Sequence, residues 1–363
     1  MKPCRVLLLC ALSEQNSTFS YQQQWPRHFA SHPLFECTVV NVLDREWQQR
    51  IRSGWLAHTF SGDAIVLLHS VFSNDSLAPE WMIDALAARP QPKIFFIGNE
   101  YKLMAEKMAF AERLRIALLI SQTQSPVVHA LYRNRLGCAV AGVPNTGLDE
   151  MLFTPATRVE DRPIDLGYRA DDTAYYLGHR ERRQIADFFT ENAGRYGLAV
   201  DISMKAADRF NETEWAAFLN RCKGQLGTEA GGDFFSLDDA ARLRVLEFEK
   251  RHPDAGFEAT YDACLRGDRE SVPLRIMSGR HVEAAGTGTV QILFEGEYDG
   301  FMKPDVHYIP LRKDFSNADD AVAKFKDPSV RSTIAANAMA LAKEEFTYDS
   351  LLRRVRRLID PFL

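Results

Sequence analysis

Two stretches of the carboxyl half carry residue types suited to a phosphorylated, polyhydroxylated ligand. The first closes an apolar run with Leu226-Gly227-Thr228-Glu229-Ala230-Gly231-Gly232. The second, Arg280-His281-Val282-Glu283-Ala284-Ala285-Gly286-Thr287-Gly288, lies well downstream and precedes a buried-looking run at 290–294. Small residues let a backbone approach phosphate, and a helix start offers free N–H groups to anions. A carboxylate just past a strand, here Glu229 or Glu283, can accept hydrogen bonds from ribose or sugar hydroxyls. Doubly wound sheets bind ligands at the carboxyl ends of their strands, so this order of strand, small residues and carboxylate marks an expected site.

Cations are needed to face the phosphates. Arg169 follows the apolar run 164–168, Arg182 opens the next helical stretch, and Lys205 follows a run ending at Ser203. Charge-assisted bonds to phosphate are strong, and arginine can make them in pairs. In the amino half, His69 ends the run 63–68 and Asn99-Glu100 end the run 93–98. Both would point into a cleft if these runs are parallel strands. Glu100 is the first candidate for handling the proton of an attacking hydroxyl, with His69 second. Each residue also has a structural alternative: a surface ion pair for the bases, a helix cap for Glu229, a satisfied polar group for Glu100 and His69. The stretch 13–25, rich in Gln and Ser, reads as a polar loop suited to a hydroxylated ligand or to plain solvent. No Asp-x-Asp stands in a suitable place and no His/Cys cluster occurs, so no metal site is expected. The acid pairs at 171–172, 238–239 and 319–320 read as helix starts or solvated turns.

The elements that would position these residues alternate along the chain. Apolar runs at 5–12, 37–42, 64–69, 93–97, 116–121 and 139–143 are separated by helix-length segments, which calls for a parallel sheet with crossovers. A turn-rich stretch, 142–155, and a polar linker, 156–163, interrupt the pattern. It then restarts with strands at 164–168, 198–203 and 224–227 and helices at 180–195 and 212–220. At 363 residues two domains are the natural expectation: residues 1–155, residues 156–340, and a tail helix at 341–363 crossing back to the first. Composition (46% hydrophobic, 26% charged) is that of an ordinary globular protein, and a net charge of −5 argues against a nucleic-acid partner. Six cysteines without a C-x-x-C pair read as reduced, buried thiols of a cytoplasmic protein. Leu351, Leu352, Val355, Leu358 and Ile359 form a helical stripe with four arginines off it. Such a helix packs on its own body or makes a peripheral contact with an anionic membrane.

At 142–155 the sequence resembles the turn that ends the N-terminal domain of group-1 glycosyltransferases of the GT-B fold, whose usual form is Pro-Asn-Gly-Val-Asp-x-x-x-Phe-x-Pro. Pro144, Asn145, Gly147, Asp149, Phe153 and Pro155 match, with Thr146 inserted and Leu148 in place of valine. The segment 280–286 is similar to the Arg-x-Phe-Glu-Ala element of that family's donor pocket, and 227–231 to a second element. Many members carry two pocket glutamates separated by seven residues. With Glu283 as the second, the first would stand at Arg275, and Glu229 is the nearest substitute, displaced by an insertion at 233–279. The resemblance implies an α/β GT-B chain of two Rossmann-like domains with parallel sheets facing a cleft. It implies a glycosyltransferase moving a sugar from a nucleoside-diphosphate sugar to a carbohydrate, lipid-linked or small-molecule acceptor in polysaccharide or glycoconjugate biosynthesis. Transfer would be retaining and metal-independent, with no cofactor beyond the donor. Glu283 would hold ribose hydroxyls, Arg280 and the backbone from Ala284 onward would border the donor, Gly227 and Thr228 would lie near phosphate, and Glu229 near the donor sugar. A nucleotide-sugar epimerase of the same fold, or a non-catalytic sugar- or nucleotide-binding protein, stays open as an alternative.

Overall fold

The computed structural model describes residues 2–13, 20–72, 74–75 and 77–363, with Trp47 described for its backbone alone. The amino half runs β1 (Cys4–Cys10), α1 (Ser20–Ser31), β2 (Phe35–Asn41), α2 (Trp47–Thr59), β3 (Ala64–Leu67), α3 (Glu80–Ala87), β4 (Lys93–Phe96), α4 (Met104–Leu114), β5 (Leu118–Ser121), α5 (Pro126–Leu136) and β6 (Ala139–Gly142). Among the described residues its strands form one parallel sheet, ordered β2-β1-β3-β4-β5-β6. The strand sequences are apolar on both faces because both faces are covered. Val6, Leu8, Val66, Ile94, Phe96 and Ile120 point to one core, and Leu7, Leu9, Ile65, Leu67, Phe95 and Leu119 to the other. The polar stretch 13–25 is corrected in part. Residues 14–19 lie outside the described residues, and from Ser20 onward the chain is helix α1, which buries Trp25 and Phe29.

The carboxyl half restarts with β7 (Ile164–Arg169), α6 (Glu181–Tyr196), β8 (Val200–Ser203), α7 (Glu212–Leu219) and β9 (Cys222–Gly227). Then follow β10 (Ala230–Phe235), α8 (Ala240–Arg251), α9 (Phe257–Cys264) and β11 (Val272–Ile276). The chain ends with α10 (Gly279–Gly286), β12 (Val290–Phe294), β13 (Ile309–Leu311), α11 (Ala318–Lys326), α12 (Pro328–Glu345) and α13 (Tyr348–Ile359). A second parallel sheet has the order β13-β12-β9-β7-β8, and β10 pairs antiparallel with β11. This hairpin brackets the insertion. Its Phe235, Leu274 and Ile276 are buried with Met104, Met108 and Tyr132 of the amino half, so the insertion bridges the two lobes.

Helix α13 buries Leu351, Leu352, Val355 and Ile359 against the first sheet beside Trp25 and Phe29 of α1. The apolar stripe therefore packs on the protein itself. The turn-rich stretch 142–155, which links the lobes, is pinned between them: Leu148 N–H donates to Phe346 C=O at 2.6 Å, and Trp25 Nε1–H donates to Asn145 C=O at 2.7 Å. Gly147 and Gly286 are required here. A side chain on the first would meet the Tyr348 ring, and one on the second would meet Leu148 and Phe153. Among the described residues no helix is long and apolar enough to cross a membrane.

Candidate functional site

A cavity of about 490 Å³ opens between the two sheets. The amino lobe contributes Ser20 and Tyr21 of α1, Asn99, Tyr101 and Lys102 from the loop after β4, and Gln122 after β5. The carboxyl lobe contributes the strand ends at 168–171 and 225–228, Trp215 of α7, and the first turns of α10. Two glycines let these pieces meet. A Cβ on Gly227 would lie 2.8 Å from His281 Cε1 and 2.8 Å from Leu293 Cδ2. One on Gly279 would run into the Thr146 side chain, so bare backbone at the helix start allows α10 to abut the linker. His281 Nε2–H donates to Thr228 C=O at 3.1 Å, tying α10 to the end of β9. Burial lowers that imidazole to about 4, so it works as a neutral strut.

Glu283 lies on the cavity wall and is 3% exposed. One carboxylate oxygen accepts from Trp215 Nε1–H at 2.8 Å and the other from Ser20 Oγ–H, so the acid joins both lobes. Burial raises its pKa to about 7, against the pull of those two donors and of Arg280. A carboxyl so poised is half-satisfied and takes hydroxyl donors readily.

Arg182 and Arg280 face the same cavity, and neither makes an ion pair with another described residue. The Arg280 guanidinium lies 5.4 Å from the centre of the Trp215 ring. Burial lowers its pKa, and Arg182 adds to that as a neighbouring like charge. Two neighbouring guanidiniums that face a cleft outside any ion pair form an anion site, even with the Glu283 carboxyl on the same wall. Gln225 completes this wall. It is 2% exposed, and both atoms of its amide lack a protein partner.

Other expected residues stand elsewhere. Arg169 touches the cavity, but its guanidinium is committed: it donates to Asp201 Oδ1 at 2.6 Å and packs 4.5 Å from the Phe218 ring centre. Lys205 is exposed and off the cavity wall, because the loop after β8 turns outward into a short 3-10 turn at Ala206–Asp208. Ala284 points into the core behind α10 while Glu283 points to the cavity, since consecutive helical residues diverge by about 100°. Thr228 lines the cavity, whereas the carboxylate of the next residue, Glu229, turns away from it and accepts from Tyr298 N–H at 2.7 Å. Arg275 is bound to Asp233 at 2.7 Å and Glu181 at 3.0 Å. Burial opposes the Glu181 carboxylate, yet Arg275, His179 and Lys313 together hold its pKa down.

Glu100 and His69 are likewise off the cavity wall. Glu100 is 1% exposed and accepts from Ser121 Oγ–H at 2.7 Å, Gln122 N–H at 2.6 Å and Tyr132 O–H at 2.6 Å. Burial raises its pKa, and those three donors work against the rise. Its lone pairs bind the loops that carry the cavity residues. His69 sits among Tyr21, Trp25 and Phe96, with ring centres 5.7, 5.9 and 5.2 Å away, and burial drops its pKa to about 3. The paired acids of the sequence are accounted for locally, for example Asp172 with Arg183 and Asp319 with Arg195. Among the described residues no group of three or more His, Cys, Asp or Glu side chains converges as a metal site would.

No family model and no curated protein matches the chain by sequence. Solved structures do match over its whole length. The Anabaena protein HepE, in complex with UDP and glucose, superposes with a TM-score of 0.53 at 11% identity, covering 99% of this chain and 100% of that one. Sucrose-phosphate synthase from Thermosynechococcus elongatus gives 0.52 at 11% identity, covering 99% and 98%. A glycosyltransferase from Rickettsia africae gives 0.51 at 9% identity, covering 100% and 99%. With its two parallel sheets and the cleft between them, the chain has the GT-B fold of the group-1 glycosyltransferases it resembles.

Proposed function

We propose that this protein is a glycosyltransferase that moves a sugar from a nucleoside-diphosphate sugar to an acceptor hydroxyl. The carrying observation is the wall formed by Arg182, Arg280, Glu283 and Gln225. The arginines would hold the diphosphate and take up the negative charge that builds on it as the glycosidic bond breaks. Glu283 would accept from the ribose hydroxyls, and the unpartnered Gln225 amide would take a donor–acceptor pair on the ligand. HepE, of the same fold, was solved with UDP and glucose and with UDP-glucose, which supports a donor of this kind.

In this reading residues 156–340 hold the donor, residues 1–155 receive the acceptor, and 341–363 brace the pair. Tyr21, Asn99, Lys102 and Gln122 line the acceptor side. By the family resemblance transfer would be retaining; it would need no metal, because guanidiniums neutralise the leaving group, and closure of the lobes would exclude water. The work would be done in the cytoplasm, in polysaccharide or glycoconjugate assembly.

The test is a thermal-shift and calorimetric series with UDP, GDP and TDP on the wild type and an Arg182→Ala/Arg280→Ala double variant. A ligand that binds only the folded state raises its melting temperature. At least one nucleoside diphosphate should do so for the wild type, with the double variant losing most of the shift. No shift with any of the three would overturn the reading. Donor consumption without an acceptor would favour an epimerase, and binding without turnover a carrier or partner protein.

A further inference from the structure

Helix α2 has an apolar ridge where a surface helix should be polar. Its inner face is ordinary: Ser53, Leu56 and Ala57 are buried, the latter two in the core with Met82 and Leu86 of α3. On the opposite side Ile51 and Trp55 are each 63% exposed. At about 100° per residue these two lie roughly 40° apart, on the side of the helix away from the core. Arg50 and Arg52, both exposed, flank Ile51 at about 100° on either side. Trp81 of α3, 41% exposed, extends the ridge; a Cβ on Gly54 would lie 3.6 Å from its Cζ3.

The charge around this ridge runs against that of the chain. Arg45, Arg50 and Arg52 are exposed and, among the described residues, outside every ion pair, while the acids of α3, Glu80 and Asp84, share Arg113, which offsets one of their two charges. Among the described residues α2 carries no acid; exposed Glu46 and half-buried Asp44 precede it. The α2 part of the ridge, with its exposed tryptophan, is thus basic on a protein of net charge −5.

We propose that α2 and the Trp81 edge of α3 form a docking surface for an anionic phospholipid bilayer. Indole rings favour the headgroup boundary, where one part of the ring is apolar and the N–H stays wet. Arginine stems cover apolar surface while their heads reach phosphates. Charge complementarity points to an anionic lipid surface, because three exposed arginines outside ion pairs border exposed indole rings of the kind that favour a headgroup boundary. The contact is shallow and reversible, held by a few apolar side chains and by screened charge. This surface is independent of the transferase reading, and α13, whose stripe is internal, takes no part in it.

Flotation with phosphatidylcholine vesicles, alone and mixed with phosphatidylglycerol, tests the proposal on the full chain. Binding is expected only with phosphatidylglycerol and should be released by high salt. Ile51→Ser/Trp55→Ser, and separately Arg50→Gln/Arg52→Gln, should each weaken it by about tenfold or more. All four positions are exposed, so unchanged melting temperatures and nucleotide-induced shifts will confirm folded variants. Absence of wild-type binding, or equal binding by the Ser variant, overturns the proposal. So does wild-type self-association in sedimentation velocity that the Ser variant abolishes, since the ridge would then be an interface between copies.

Discussion

Replacing Glu283 by Gln should make the empty protein more stable at alkaline pH while weakening its hold on nucleotide. The carboxyl titrates at 4.5 in an ordinary environment and at about 7 in its buried position. Below pH 4.5 it is neutral in both the unfolded and the folded chain, and the site costs nothing. Between these values the unfolded chain sheds a proton that the folded chain keeps, so stability falls as pH rises, and above pH 7 the loss is complete. At 1.36 kcal/mol per pH unit the loss is about 3 kcal/mol. A glutamine avoids it and keeps both contacts: its oxygen can accept from Trp215 Nε1–H, and its amide N–H can donate to a rotated Ser20 hydroxyl. The variant should therefore melt roughly 4 °C above wild type at pH 8 and match it at pH 4.5 or below. Calorimetry at pH 8 should show nucleoside-diphosphate affinity reduced roughly 10- to 100-fold, the value of hydrogen bonds to a charged acceptor. A variant no more stable than wild type at pH 8, or one that binds equally well, would refute the reasoning.

Three further expectations concern neighbouring residues. Arg280→Ala should reduce nucleoside-diphosphate affinity by about 1.5–3 kcal/mol and leave affinity for the bare nucleoside unchanged, measured by calorimetry. Glu100→Ala strands three buried donors and should cost about 3 kcal/mol or more in urea denaturation, with nucleotide affinity within about twofold of wild type. A Glu100→Gln variant that folds like wild type but is dead in transfer would return this residue to catalysis. Gly279→Ala drives a methyl into Thr146 and should cost about 1–3 kcal/mol in stability, and it should weaken nucleotide binding by displacing α10.

The elements most legible in the sequence were those with one simple signal. The run 290–294 is β12 to the residue, because a central parallel strand is apolar on both faces. Helix α1 was hidden by its three consecutive glutamines and by Pro26, and is held by Trp25 and Phe29 packing on the first sheet. Gly231 and Gly232 read as small residues that close an apolar run, but they are residues of β10, packed so closely on Leu274 and Leu177 that side chains would not fit. At the candidate site, the strand-end rule pointed to the sheet edges that border the interlobe cavity, and resemblance singled out Glu283 and Arg280, which line it. It could not give side-chain direction: Glu100 and Glu229 are claimed by Tyr132 and Tyr298, partners 32 and 69 residues away. Trp215 and Gln122 carried no local signal. Gln225 alone had a usable one, since it stands two residues before Gly227 and so shares its face of β9.

The most direct measurement is a crystal structure with whichever nucleoside diphosphate gives the largest thermal shift. Its phosphates should lie between Arg182 and Arg280, with the ribose hydroxyls on Glu283 and Ser20 displaced or shared. Density for the nucleotide anywhere outside the interlobe cavity, with Arg182, Arg280 and Glu283 untouched, would contradict the account.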